Sequence, residues 1–185
     1  MLAIDTAVNS IIPSIQTPSL TKIMTVITGI GSTTCLAILS IILLCFLLYK
    51  KRYQNSLLLA IGMLGGLLIE LFIKAIIQKE RPEGMLIAET GYSFPSAHAM
   101  MALVFFAILI YTVKDDIKNA FWRYLLIAAS ILIVLLVSFS RLYLRVHWLS
   151  DVIGGLIIGF LWLFLLVFTL KFASNRKLYK PLKTT

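Results

Sequence analysis

The chain has 185 residues, 60% of them hydrophobic and 14% charged, with a net charge of +9 and a mean hydropathy of +0.98. Soluble domains carry about 45–50% apolar and about 25% charged residues, so this composition excludes a water-soluble enzyme, a disordered chain and a nucleic-acid-binding module. It points to an all-α integral membrane protein, and the basic surplus then reads as topology-setting loop charge rather than as a nucleic-acid partner.

The length fits one membrane-embedded domain over residues 1–185, divided into a segment 1–21, a helical bundle 22–172 and a tail 173–185. Val8, Ile11, Ile12 and Ile15 follow the spacing of one helical face, interrupted by Pro13 and closed by Pro18. The opening residues Met1-Leu2-Ala3-Ile4-Asp5 lack the basic start and long apolar run of a signal peptide. Residues 1–21 are therefore expected to form a short amphipathic segment on the membrane interface, with a loosely ordered tail as the alternative. Neither reading gives the segment a chemical role.

A hydrocarbon core about 30 Å thick needs roughly 20 apolar residues per helical span. The gaps between ionisable residues predict five: Lys22 to Lys50, Tyr53 to Ile77, Ser96 to Val113, Tyr124 to Ser140, and Val152 to Leu170. The runs lack the alternation of a barrel wall. If Lys50-Lys51-Arg52 lies in the cytoplasm, eleven of the 17 basic residues fall on that side, which puts the N-terminus outside and the basic tail inside. The tail is expected to lie near anionic headgroups. Cys35 and Cys45 sit in apolar sequence, so neither a disulfide framework nor a thiolate metal site is expected.

In such a chain the polar residues near the bilayer carry the information. Both histidines, His98 and His147, fall at the outer ends of predicted spans, as do Lys74, Arg81, Arg141 and Asp151. Lys74 and Arg81 are seven residues apart, so they share a face if the second helix continues to Glu80, with Glu70 one turn below. Two such cations can hold phosphate oxygens, Arg81 as a bidentate fork; they can equally be snorkelling anchors, with Lys74 paired to Glu70. Pro95-Ser96-Ala97-His98 opens the third span, where a helix N-terminus suits an anion; alternatively Ser96 is a simple cap. His147 and Asp151 are i and i+4, so the carboxylate can orient the imidazole as nucleophile or base. The alternative is an interfacial ion pair of Asp151 with Arg141 or Arg145. Two histidines and few outer carboxylates are poor stock for a metal cluster.

Lys74 to Pro82, Pro95 to His98 and Ser140-Arg141 to Asp151 resemble the three-part signature of the type 2 phosphatidic acid phosphatase superfamily, K-x6-RP, PSGH and SR-x5-H-x3-D, in order and in internal spacing. Ala97 stands where the family usually has glycine, and Arg145 where bacterial relatives often have glycine. The resemblance implies a lipid phosphatase without cofactor or metal, working at the outer headgroup plane of the plasma membrane. In it His147 attacks phosphorus to form a phosphohistidine, Asp151 fixes its tautomer, and His98 protonates the leaving oxygen and then activates water. Lys74, Arg81, Ser96 and Arg141 stabilise the phosphoryl oxygens. The implied substrates are phosphatidylglycerol phosphate, undecaprenyl diphosphate or phosphatidic acid, the first two favoured by the bacterial style of this small chain. Arg145 and Lys79 are candidates to read a second phosphate. No protein partner is required. The rival readings are a lipid-phosphate transporter or flippase that does not hydrolyse, and a silent scaffold.

Overall fold

The computed structural model describes residues 2–178, with side chains up to residue 172. The expected cytoplasmic tail 173–185 therefore lies largely outside the described residues. In chain order the helices are α1 (Ala3–Ile11), α2 (Pro18–Ile30), α3 (Thr33–Tyr49), α4 (Tyr53–Ile77), α5 (Ala97–Val113), α6 (Ala120–Tyr143) and α7 (Leu149–Leu178). There is no strand among the described residues. Four helices are long and apolar enough to cross a membrane, and the bent pair α2–α3 makes a fifth crossing if it counts as one span.

The bundle is built around α5. Its Val104, Phe105 and Ile108 pack with Leu36 and Leu47 of α3, Leu58 and Leu59 of α4, Val137 of α6 and Leu166 of α7. The outer faces are the reverse of a soluble protein's. Leu64, Leu68 and Phe72 on α4, and Phe160, Phe164 and Phe168 on α7, recur every fourth residue and are each more than half exposed. Apolar stripes of that kind face lipid. Arg52 latches the end of the bundle where α3 passes into α4, donating to the Thr112 carbonyl at 2.9 Å and pairing with Asp116.

Two expectations about the helices change. The span from Lys22 to Lys50 is broken by a 44° bend between α2 and α3. Ser32 starts a new helix there by accepting from the Cys35 N–H at 3.2 Å, and Gly31 lets the chain pass close to its neighbours, since a Cβ would stand 2.4 Å from Val137 Cγ1 and 3.4 Å from His98 Cδ2. α6 and α7 extend beyond the expected spans and include Arg123, Arg141, Asp151 and Lys171. Gaps between charges mark the bilayer crossing, whereas helix ends follow caps such as Asn119, which accepts from the Phe121 N–H at 2.8 Å.

α5 and α7 approach closely where both helices begin. The Ser96 N–H donates to the Asp151 carbonyl at 3.0 Å. A Cβ added at Gly155 would lie 2.8 Å from the Ser96 carbonyl oxygen, a backbone atom that cannot swing aside. Gly155→Ala is accordingly expected to destabilise the fold by about 1–3 kcal/mol, read as a lower thermal midpoint in detergent. Because the strain falls on the first turn of α5, the variant is also expected to displace His98.

Candidate active site

α4 ends at Ile77, where Gln78 takes a left-handed conformation (φ 48°) and its N–H returns to the Lys74 carbonyl. The helix ends where the span was expected to end and does not continue to Glu80, the condition for a shared face, so Lys74 and Arg81 do not share one. Lys74 stays on α4, 2.6 Å from the buried Glu70. Arg81 enters from the following loop, where its guanidinium donates to the carbonyls of Gly91 (3.0 Å), Thr90 (3.0 Å) and Val146 (2.8 Å). Those bonds tie the loop before α5 to the turn between α6 and α7. Ser93 closes the loop on itself by donating to the carbonyls of Lys79 and Glu80.

The α6–α7 turn is wound tightly. Arg141 sits in the last turn of α6 at 1% exposure, and Tyr143, Leu144 and Val146 are fully buried behind it. Arg145 takes a positive φ of 56° as the chain reverses. His147 therefore precedes α7 instead of lying on it, while Asp151 occupies its first turn. Asp151 Oδ2 accepts from the Trp148 N–H at 2.8 Å, the acidic half of a capping box, and lies 3.6 Å from His147 Nδ1. On the other side of the ring, His147 Nε2 is 3.3 Å from Arg81 Nη1. A guanidinium only donates, so Nε2 accepts and Nδ1 carries the proton toward Asp151. This tautomer turns the Nε2 lone pair to the cavity side, where it accepts from Arg81.

That side is a cavity of about 510 Å³ lined by Lys74, Arg81, His98, Arg141 and His147, together with Glu70, Glu89 and Thr90. It continues between α3 and α4 along apolar side chains such as Leu36, Leu44, Met63 and Leu67. Five residues from three separated motifs thus converge on one volume. Ser96 and Asp151 stand just behind it, both fully buried. Ser96 Oγ has no hydrogen-bond partner among the described residues, so it is not the side-chain cap of α5.

Three groups depart from the sequence reading. Lys79 and Arg145 do not line the cavity: Lys79 Nζ lies 2.8 Å from Asp151 Oδ1 and 3.3 Å from Asp5 Oδ2, and Arg145 donates to Asn9 Oδ1 at 3.2 Å. Segment 1–21, read as chemically idle, sends Asp5 into the protein to 1% exposure. Its α1 helix and following 3-10 turn bury Ile12 but leave Ile11 and Ile15 exposed. Glu89 was missed as well. It pairs with Arg141 and lies 3.9 Å from Arg81, so a carboxylate bridges the two arginines of the cavity. No spacing rule marks Asp5 or Glu89; for Glu89 the available signal was a carboxylate eight residues after Arg81, and for Asp5 there was none.

The environment sets the ionisation of these groups. Burial, opposed by Asp151 and reinforced by Arg141 and Arg81, pulls the His147 imidazole down to about 4. Burial tends to raise the Glu89 carboxyl, but its hydrogen bond and charge interaction with Arg141 outweigh this and hold it below the usual range. Asp5 is held low against burial by bonds from Ser150 and Lys79.

Comparison with known proteins agrees with the motif spacing. The model of the PAP2 superfamily matches residues 55–175. Phosphatidylglycerophosphatase B of Bacillus subtilis (strain 168) is 30% identical over 164 residues, which cover 87% of this chain and 80% of that protein. An undecaprenyl-diphosphatase of Sulfolobus acidocaldarius is 28% identical over 120 residues, 61% of this chain and 54% of that protein. The crystal structure of a transmembrane PAP2 type phosphatidylglycerolphosphate phosphatase from Bacillus subtilis superposes with a TM-score of 0.82 and 27% identity, covering 96% of this chain and 87% of that one.

The low value at His147 has a direct consequence for stability. In the unfolded chain imidazole takes up its proton near pH 6.5, so between about pH 6.5 and 4 the unfolded state binds more protons and stability falls as pH falls. Asp5 and Glu89, with depressed carboxyls, lose their contributions only below about pH 4. The thermal midpoint in detergent is expected to drop between pH 6.5 and 4.5, and to drop less in His147→Gln. Equal drops would remove His147 as a source of the pH dependence.

Proposed function

Because the chain belongs to the PAP2 superfamily, the type 2 phosphatidic acid phosphatases, we propose that it is a membrane phosphatase that removes phosphate from a lipid phosphate, without a metal ion, through a phosphohistidine. The observation that carries this reading is the convergence of Lys74, Arg81, His98, Arg141 and His147 on one cavity. His147 Nε2 attacks phosphorus in line, and Nδ1–H faces Asp151, whose negative charge steadies the imidazolium as it forms. Lys74, Arg81 and Arg141 hold the phosphoryl oxygens, and the N-terminus of α5 at Ser96 adds a favourable dipole. His98 gives its proton to the departing lipid oxygen and then takes one from the water that opens the phosphohistidine. Preorganised positive charge is the main contribution, since a lost donor typically costs on the order of 10²–10³ in rate.

The apolar extension of the cavity supports a substrate with a lipid anchor. Phosphatidylglycerophosphate and undecaprenyl diphosphate are the proposed substrates, in keeping with the names of the relatives. The distribution of loop charge supports an extracytoplasmic site in the plasma membrane. Neither a protein partner nor a nucleic acid enters the scheme.

Glu89 has a part in the binding step. Its carboxylate lies across Arg141 and near Arg81, in the seat that the phosphate oxygens take in this reading. Phosphate binding then exchanges one anion for another, which keeps two buried guanidinium groups neutralised in the resting protein. The exchange also makes Glu89 a competitor of the substrate.

Two measurements test the proposal. Purified protein is expected to release inorganic phosphate from a panel of phosphatidylglycerophosphate, undecaprenyl diphosphate and phosphatidate. Release is expected to resist EDTA, yield to vanadate and disappear in His147→Ala; lipid movement between leaflets without phosphate release would indicate a flippase instead. Glu89→Gln is expected to tighten vanadate inhibition by about 10-fold, the worth of one charge-assisted bond. Unchanged inhibition would exclude competition by Glu89.

A further inference from the structure

Two ionised side chains, Asp5 and Lys79, lie outside the cavity and have no part in the scheme above. Asp5 Oδ1 accepts the Ser150 N–H at 2.8 Å, and Oδ2 accepts the Ser150 hydroxyl at 2.7 Å and Lys79 Nζ at 3.3 Å. The same ammonium donates to Ser150 Oγ at 2.6 Å and to Asp151 Oδ1 at 2.8 Å. Asp151 turns its other oxygen to His147. An unbroken series of polar contacts thus runs from α1 through Lys79 and Asp151 to the imidazole. Asp5 lies outside residues 55–175, the part of the chain matched by the family model, and Lys79 falls at a variable position of the first motif.

We propose that Asp5 is a positioning residue of the reaction, acting on His147 through Lys79 and Asp151; the inference rests on the phosphatase reading above. The argument is one of charge sharing. Alone with Asp151, the Lys79 ammonium would neutralise the carboxylate that must stabilise the imidazolium. With Asp5 on its other side it serves two carboxylates, the trio carries one net negative charge, and Asp151 keeps part of its field for His147. The bonds to Ser150, in the first turn of α7, also fix the rotation of the helix that carries Asp151. Tight seating is consistent with this: Asp5, Asp151 and His147 are 1%, 0% and 4% exposed.

The charged and titratable neighbours of this series are Arg81, Arg141, His98 and Glu89 on the cavity side. Asp5→Asn leaves all of them in place, so substrate binding is expected to persist while the imidazolium loses support. For full-length protein in detergent acting on dioctanoyl phosphatidate, kcat is expected to fall by about tenfold, within the range for coupled residues of one network, with KM unchanged. The acid limb of the kcat/KM profile is expected to move to lower pH. In a Lys79→Met background the same substitution is expected to have no effect. Lys79→Met alone, which frees Asp151 of its counter-charge, is expected to move the acid limb to higher pH and serves if Asp5→Asn does not fold. A wild-type acid limb in both variants, or a kcat loss accompanied only by a lower thermal midpoint, would overturn the inference. A wild type inactive on phosphatidate, phosphatidylglycerophosphate and undecaprenyl diphosphate alike would instead overturn the phosphatase reading, and the inference with it.

Discussion

An ionised group at the edge of a hydrocarbon slab persists only if an opposite charge or a set of hydrogen bonds replaces its lost water. The end of the bundle that carries the cavity is organised by that requirement. Lys74 is matched by Glu70, Arg141 by Glu89, and Lys79 by Asp5 and Asp151. Arg81 is solvated by backbone carbonyls of its own loop and of the α6–α7 turn. These pairings join α1, α6 and α7 to the loop between α4 and α5, so these elements are held in register by a polar assembly at one end. A buried ion pair contributes little net stability compared with apolar packing. What this assembly supplies is position: a fixed imidazole, a fixed tautomer and a seat for an anion.

The division of labour within the fold follows. α5, surrounded by its neighbours, provides the rigid post whose first turn presents His98. α7 packs against it through Gly155, and the Ser96 N–H meets the Asp151 carbonyl, so the two helices that carry His98 and Asp151 cannot shift independently. Arg141 is anchored on the far side by donating to Thr28 Oγ1 of α2 at 2.7 Å. The bend between α2 and α3 lies beside His98, and α3 contributes the apolar wall of the cavity below it.

Much of this was legible in the sequence because it is local. Charge gaps mark the crossings of α4 to α7, and the fixed spacings within the three motifs mark the residues of the cavity. Three features were not legible, for physical reasons. The α2–α3 bend depends on Gly31 meeting Val137, a contact between residues far apart in the chain. The turn of the chain after Ile77, which parts Arg81 from the face of Lys74, depends on Gln78 adopting a left-handed conformation that no glycine announces. Asp5 and Glu89 find their partners only after folding: each is a single carboxylate whose cations come from other elements. Helical periodicity placed the apolar positions of α1 correctly on a helix but could not show that its buried face carries an aspartate.

The contact between Asp5 and Ser150 joins residues 145 positions apart, and this bears on biogenesis. Helices that enter the bilayer one after another bring Asp5 and Lys79 into the membrane region long before the last helix supplies Ser150 and Asp151. Until then a carboxylate and an ammonium have only each other, and the polar end of the nascent protein is incomplete. Completion of the polar cluster is thus reserved for the final insertion step, and a chain truncated before α7 would leave Asp5 and Lys79 without Ser150 and Asp151.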